Sequence, residues 1–169
     1  MVKKTVMLCA MCASLINASD TFKTERFLGV EAGYANIQGF HPKDTSDNLT
    51  YGLHVGAQNE EWRTTVNINL YDSKRHTLQR GFLSLDYFFL NEVNTKPLLV
   101  TPYFGVNIGY MRFEKAGVDD SGLLYGGQAG LLFPLLEELD IDIAYRYSLS
   151  ASNKFDHTGE VILGMNFKY

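Results

Sequence analysis

Residues 161 to 169, Val-Ile-Leu-Gly-Met-Asn-Phe-Lys-Tyr, place Val161, Leu163, Met165, Phe167 and Tyr169 on one face and Ile162, Gly164, Asn166 and Lys168 on the other. Alternation with a period of two describes a strand with one apolar and one mostly polar surface. The sequence ends on that strand, so the expected cover for its apolar face is lipid, because membrane-crossing barrel strands alternate apolar-out and polar-in.

The pattern recurs seven more times. Leu139 to Leu149 is the cleanest, with Leu139, Ile141, Ile143, Tyr145, Tyr147 and Leu149 outward and Asp140, Asp142, Ala144, Arg146 and Ser148 inward. The others are Leu123 to Phe133, Val100 to Tyr110, Gly81 to Phe89, Trp62 to Tyr71, Tyr51 to Ala57 and Phe27 to Ala35. Pro102 is expected near the start of its strand, where a missing amide is tolerated. Most runs approach the ~9–11 residues of a tilted membrane-crossing strand. The pattern therefore predicts an all-β fold, an eight-stranded antiparallel up-and-down transmembrane β-barrel.

Connections point the same way, since such barrels carry short periplasmic turns and longer outer loops. Gln38–Thr50, Asp72–Arg80, Met111–Gly122 and Ser150–Thr158 read as long outer loops. Gln58–Glu61 and Pro134–Glu138 read as short turns, and Leu90–Leu99 is intermediate. Aromatics sort into two bands, as expected of amphipathic rings at both membrane boundaries. Trp62, Phe89, Phe104, Phe133, Phe167 and Tyr169 fall near the periplasmic rim, and Tyr34, Tyr51, Tyr110, Tyr125 and Tyr147 in the outer half. A soluble lipocalin-like barrel also alternates, but its apolar face lines the interior. The two aromatic bands, the absence of a helix-period lid and the final strand itself argue against it.

Residues 1 to 18 read as a cleaved signal peptide, leaving one barrel domain over 19–169. Lys3 and Lys4 supply the positive start, Thr5 to Ile16 a short apolar run, and Ile16-Asn17-Ala18 a small-residue cleavage site. The run is shorter than the ~20 residues a membrane-spanning helix needs. Cys9 and Cys12 raise a lipoprotein as the alternative, but neither follows the small residue that lipid attachment wants. Cleavage removes both cysteines, and with Lys3 and Lys4 it takes the formal charge from −4 to −6. An acidic chain without a basic cluster argues against nucleic-acid binding.

Leu139-Asp-Ile-Asp-Ile-Ala-Tyr-Arg-Tyr-Ser148 and the Gly-rich Tyr125-Gly-Gly-Gln-Ala-Gly130 resemble the strands of OmpA/OmpX-type small barrels and opacity-type surface proteins of the porin family. The resemblance covers the whole mature chain and implies residence in the outer membrane of a Gram-negative bacterium. It also implies that Phe167 and Tyr169 form the signal presented to the barrel assembly machinery. The periplasmic peptidoglycan-binding domain that follows the barrel in OmpA has no counterpart in this sequence, so a cell-wall anchoring role is not implied.

An eight-stranded barrel leaves an interior just wide enough for side chains to fill. Inward glycines alternating with Phe82, Phe88, Tyr71, Tyr103, Arg63 and Arg146 therefore predict a plugged polar lumen. Buried charges persist when paired. The expected network joins Glu31, Arg63, Asp86, Asp142, Arg146 and Glu160, with Arg146 held by Asp142, Glu160 or Glu31 and His54 titratable nearby. The same cluster could gate a narrow ion- or small-solute-conducting pore, because membrane-embedded ionisable groups are functional suspects.

A lipid A-modifying enzyme is the remaining alternative. Asp156-His157 beside Ser150 and Ser152 is the nearest catalytic grouping, but it lies in a hydrophilic loop of ordinary turn formers. No nucleophile elbow, metal spacing or phosphate loop occurs. No catalytic residue, cofactor or metal is therefore assigned. The expected partners are outer-membrane lipid and lipopolysaccharide, met by Lys43, Lys74, Arg75, Lys115 and Lys154, together with a host or surface ligand bound through the outer loops. The role so read is structural, at the cell surface.

Overall fold

A computed structural model describes residues 24–39, 46–73, 76–89, 100–115, 118–151 and 155–169. Residues 1 to 18, read above as a signal peptide, lie outside them. The described residues form eight strands and no helix: β1 (Glu25–Gly39), β2 (Ser46–Gln58), β3 (Trp62–Ser73), β4 (His76–Phe88), β5 (Thr101–Lys115), β6 (Val118–Leu136), β7 (Leu139–Ser150) and β8 (Phe155–Lys168). Each strand pairs antiparallel with the next, and β1 pairs with β8 to close the barrel. Closure satisfies every edge, which a sheet surrounded by hydrocarbon requires.

Register follows the sequence alternation. At the closing seam Val30 opposes Met165 and Glu31 opposes Gly164, so apolar pairs and polar-or-glycine pairs occupy alternate rungs. On β7 every second residue from Asp140 to Ser148 faces inward, and Tyr145, Tyr147 and Leu149 face out. Pro102 is the second residue of β5, and Pro134 adjoins a register shift in the β6–β7 ladder, both places where a missing donor is tolerated.

The strands run longer than the alternation implied, which corrects the long outer loops. β5 and β6 pair as far as Lys115 opposite Val118, β2 begins at Ser46, and β8 begins at Phe155. The β6 strand has 19 residues. At ~3.4 Å per residue it exceeds a ~25 Å apolar belt even when tilted. The ladder therefore continues past the lipid, where outward positions no longer need to be apolar and the period-two signal fades. Arg80, read above as the end of a loop, lies within β4 with its side chain buried.

Candidate functional site: the charged lumen

The polarity of the molecule is reversed relative to a water-soluble domain. Val30, Leu53, Ile68, Leu85, Val106, Leu131, Ile143 and Leu163, one from each strand, all face outward and are exposed, Val106 and Leu53 by more than 60%. Glu31, Arg63, Arg80, Asp86, Asp140, Arg146 and Glu160 are buried. Soluble monomers rarely expose contiguous apolar surface beyond a few hundred Å², whereas a belt around all eight strands suits hydrocarbon. The belt ends in rings. At the end bearing the Asn59 turn, Trp62 packs on Tyr87 (4.9 Å), Tyr87 on Phe104 (5.8 Å) and Phe104 on Phe89 (5.7 Å). Tyr34, Tyr51, Tyr110 and Tyr125 are exposed toward the other end.

Inside, on the side nearer those rings, Phe88, Tyr103, Leu132, Ala144 and Ile162 form a buried apolar layer. Arg63 rests against this layer, its guanidinium 4.2 Å from the Tyr103 ring centre and 5.6 Å from that of Phe88. Its Nε donates to Asp86 Oδ2 at 2.9 Å and its Nη1 to Asp142 Oδ2 at 2.7 Å. The Tyr103 hydroxyl donates to the other Asp142 oxygen at 2.7 Å.

A second cluster surrounds Glu31. Asn67 and Asn69 donate to its two oxygens at 2.8 and 2.5 Å. His54 Nδ1 lies 3.2 Å and Arg146 Nη1 3.6 Å from the same carboxylate. The other His54 ring nitrogen meets Asn166 Oδ1 at 2.5 Å. Gln128 connects the clusters, donating to Asp86 Oδ1 at 2.7 Å and accepting from Arg146 Nε at 2.9 Å.

Further along the axis Arg80 Nη2 donates to Glu160 Oε1 at 2.9 Å, and the Thr50 hydroxyl donates to the same oxygen. Arg146 reaches Glu160 Oε2 at 4.0 Å. Both arginines stack over Phe82, at 4.8 Å for Arg146 and 5.7 Å for Arg80. Near the closing seam Lys168 lies 3.1 Å from Asp140.

All six lumen residues named from the sequence sit in this column, and two of the three acids offered to Arg146 lie beside it. Arg146 is held by Glu31 and Glu160, while Asp142 belongs to Arg63. Arg80 is the member sequence reasoning missed. Counting back in twos from Asp86, Ser84 and Phe82 would have found it, had the strand not been ended at Gly81. Thr50 and Gln128 complete the bonding; Gln128 lay on an inward position, but its bridging depends on which arginine comes within reach.

Between the clusters remains a cavity of about 20 Å³, bordered by Glu31, His54, Arg63, Asp142 and Arg146, comparable with the ~10–15 Å³ that one water requires. Close backbone approach requires glycine at Gly126, where a Cβ would collide with the Tyr147 carbonyl and Ser148 Cα, neither of which can swing aside. Of the groups considered as catalytic, His157 lies on β8 instead of in a loop, with Nδ1 3.1 Å from Asp156 Oδ2. Phe40, His41, Lys43, Lys74, Arg75, Ser152 and Lys154 lie outside the described residues, as do the side chains of Lys115, Phe155 and His76.

The chain matches no protein-family model and no curated protein. Solved structures share its fold. It is similar to Neisserial surface protein A, with 18% identity, a TM-score of 0.71, and 85% of this chain and 97% of that one covered. It is similar to outer membrane protein H of P. aeruginosa, with 21% identity, a TM-score of 0.64, and 86% and 99% covered. It is also similar to Ail, the attachment invasion locus protein of Yersinia pestis, with 18% identity, a TM-score of 0.53, and 88% and 100% covered. A further structure of Ail holds the heparin analogue sucrose octasulfate. The fold is that of the eight-stranded outer-membrane β-barrels.

Proposed function

We propose that this chain is an integral outer-membrane protein with a structural and surface role: a barrel plugged by its own ion pairs that holds its outer hairpins above the lipid. The observation that carries this reading is the reversal of polarity, with buried arginines and carboxylates inside an exposed apolar wall. In the reading, residues 1 to 18 direct export and are removed. Exterior Phe167 and Tyr169, on and just past the strand that closes against β1, are recognised by the assembly machinery. The hairpin ends meet lipopolysaccharide through their lysines and arginines, or a surface ligand. The name of Ail gives attachment a precedent on this fold. No enzymatic activity is assigned.

Planar-bilayer recording of refolded protein tests the plug. Silence from the parent chain is expected; a steady open-channel current would overturn it. A narrow gated path is the second reading, favoured by the small polar cavity between Glu31, His54, Arg63 and Arg146. In that reading Arg146→Ala produces current where the parent is silent, and in the plug reading it leaves the trace silent. Shortening the outer hairpins should abolish cell binding while heat-modifiable folding on gels persists. Unchanged binding would discard attachment.

A further inference from the structure

We propose that a groove on the outer wall of the barrel, across β7, β8 and β1, is a seat for one acyl chain of an outer-leaflet lipid. This rests on the membrane reading above and adds a specific lipid site to it. The groove arises from an outward glycine. Gly159 lies on β8 between Asn36 of β1 and Tyr147 of β7. One outward rung toward the barrel's middle, Val161 sits between Tyr34 and Tyr145; one rung the other way is His157. The central position thus lacks a side chain while its neighbours are large, leaving a groove of about 280 Å³.

Its polarity is graded along the barrel axis. Val161, Tyr34 and Tyr145 form the end nearer the middle of the apolar belt, all more than half exposed. The other end carries Asn36 and His157, the His157 ring lying 5.4 Å from that of Tyr147 and its Nδ1 3.1 Å from Asp156 Oδ2 outside the groove. An occupant must therefore be apolar toward the membrane centre and polar, without a strong charge requirement, toward the outer boundary. A lipid acyl chain with its ester, amide or hydroxyl group at the rim has that order, and this wall already faces lipid. A water-soluble peptide lacks that axial polarity, and the recess over Gly159, narrow between Tyr34, Tyr145 and Tyr147, fits a single acyl chain better than the broad convex wall of a second barrel.

The tyrosines suit the task, having apolar bodies and polar tips. Tyr145 leans over the glycine, its hydroxyl 2.5 Å from where a Gly159 Cβ would stand. Because this obstacle is the free end of a side chain, a larger residue at 159 fills the groove by displacing the ring and leaves the β7–β8 ladder intact.

Native mass spectrometry of the full chain extracted from outer membranes tests the site, with parent, Gly159→Leu and Ala129→Leu compared. Ala129 is exterior on β6, away from the groove. The parent and Ala129→Leu should retain one lipid, and Gly159→Leu should lose it while keeping heat-modifiable gel mobility. Equal lipid retention by Gly159→Leu, or a second copy of the chain in place of lipid, overturns the proposal. Outer-membrane fractionation separates the two readings. A barrel present there without retained lipid refutes the groove alone, whereas a chain absent from that membrane refutes the membrane assignment.

Discussion

Replacing Arg63 with Met should destabilise the barrel more than any single substitution on its lipid face. The arginine side chain is 4% exposed and Asp86 is 0% exposed, with Asp142 at 15%. Loss of the guanidinium leaves Asp86 with the Gln128 amide and Asp142 with the Tyr103 hydroxyl as their remaining side-chain donors. Breaking a buried pair from one side typically costs about 3–5 kcal/mol, because the abandoned charge stays out of water. Part of Asp142 reaches solvent, so most of the penalty falls on Asp86. Neutralising that partner in Arg63→Met/Asp86→Asn should restore about 1–3 kcal/mol, the coupling expected of directly bonded neighbours. The assay is equilibrium urea unfolding of refolded protein in lipid vesicles, followed by Trp62 fluorescence and heat-modifiable mobility. An Arg63→Met barrel within about 0.5 kcal/mol of the parent, the range of an ordinary surface change, would refute the claim that Arg63 neutralises a closed lumen.

Other substitutions probe separate features. Gly126→Val should prevent folding, because the Tyr147 carbonyl stands where its Cβ must go, while Gly81→Ala, whose nearest neighbour is the Asn67 carbonyl oxygen at 3.8 Å, should fold normally; gel mobility after refolding distinguishes them. Arg80→Met should destabilise by about 3–5 kcal/mol, because Glu160 keeps the Thr50 hydroxyl and the more distant Arg146 but loses its bonded cation, measurable in the same urea titration, and an unaffected variant would remove Arg80 from the lumen network. Phe167→Ala/Tyr169→Ala should lower the amount of barrel assembled in cells yet refold in vitro like the parent, and normal cellular assembly would leave these rings as lipid-facing residues only.

The two faces of the barrel were legible because hydrocarbon and a packed polar lumen make opposite demands on neighbouring residues. On β7, Tyr145, Arg146 and Tyr147 declare their sides without reference to any other strand. Strand ends were less legible, since beyond the lipid a ladder continues with any residue that tolerates an extended backbone; this hid Arg80 within an apparent loop. Ion-pair partners were the least legible. Arg63 on β3 reaches across the lumen to Asp142 on β7, and Arg146 reaches Glu31 on β1. Those choices depend on barrel diameter and on where Phe82 and Tyr103 occupy space, neither of which period-two alternation encodes. The groove at Gly159 was equally hidden, because it results from one missing side chain among large neighbours on three strands.

The central claim is that lipid covers the outer wall and side chains fill the inner one. Spin labels placed singly from residue 160 to 167 of β8 test it directly, in a chain that contains no cysteine from residue 19 onward. In lipid bilayers, accessibility to oxygen dissolved in the membrane should peak at 161, 163, 165 and 167 and fall at 160, 162, 164 and 166, with a water-soluble nickel complex excluded from the odd positions. Oxygen access without that period of two, or free access of the nickel complex to the odd positions, would contradict the account.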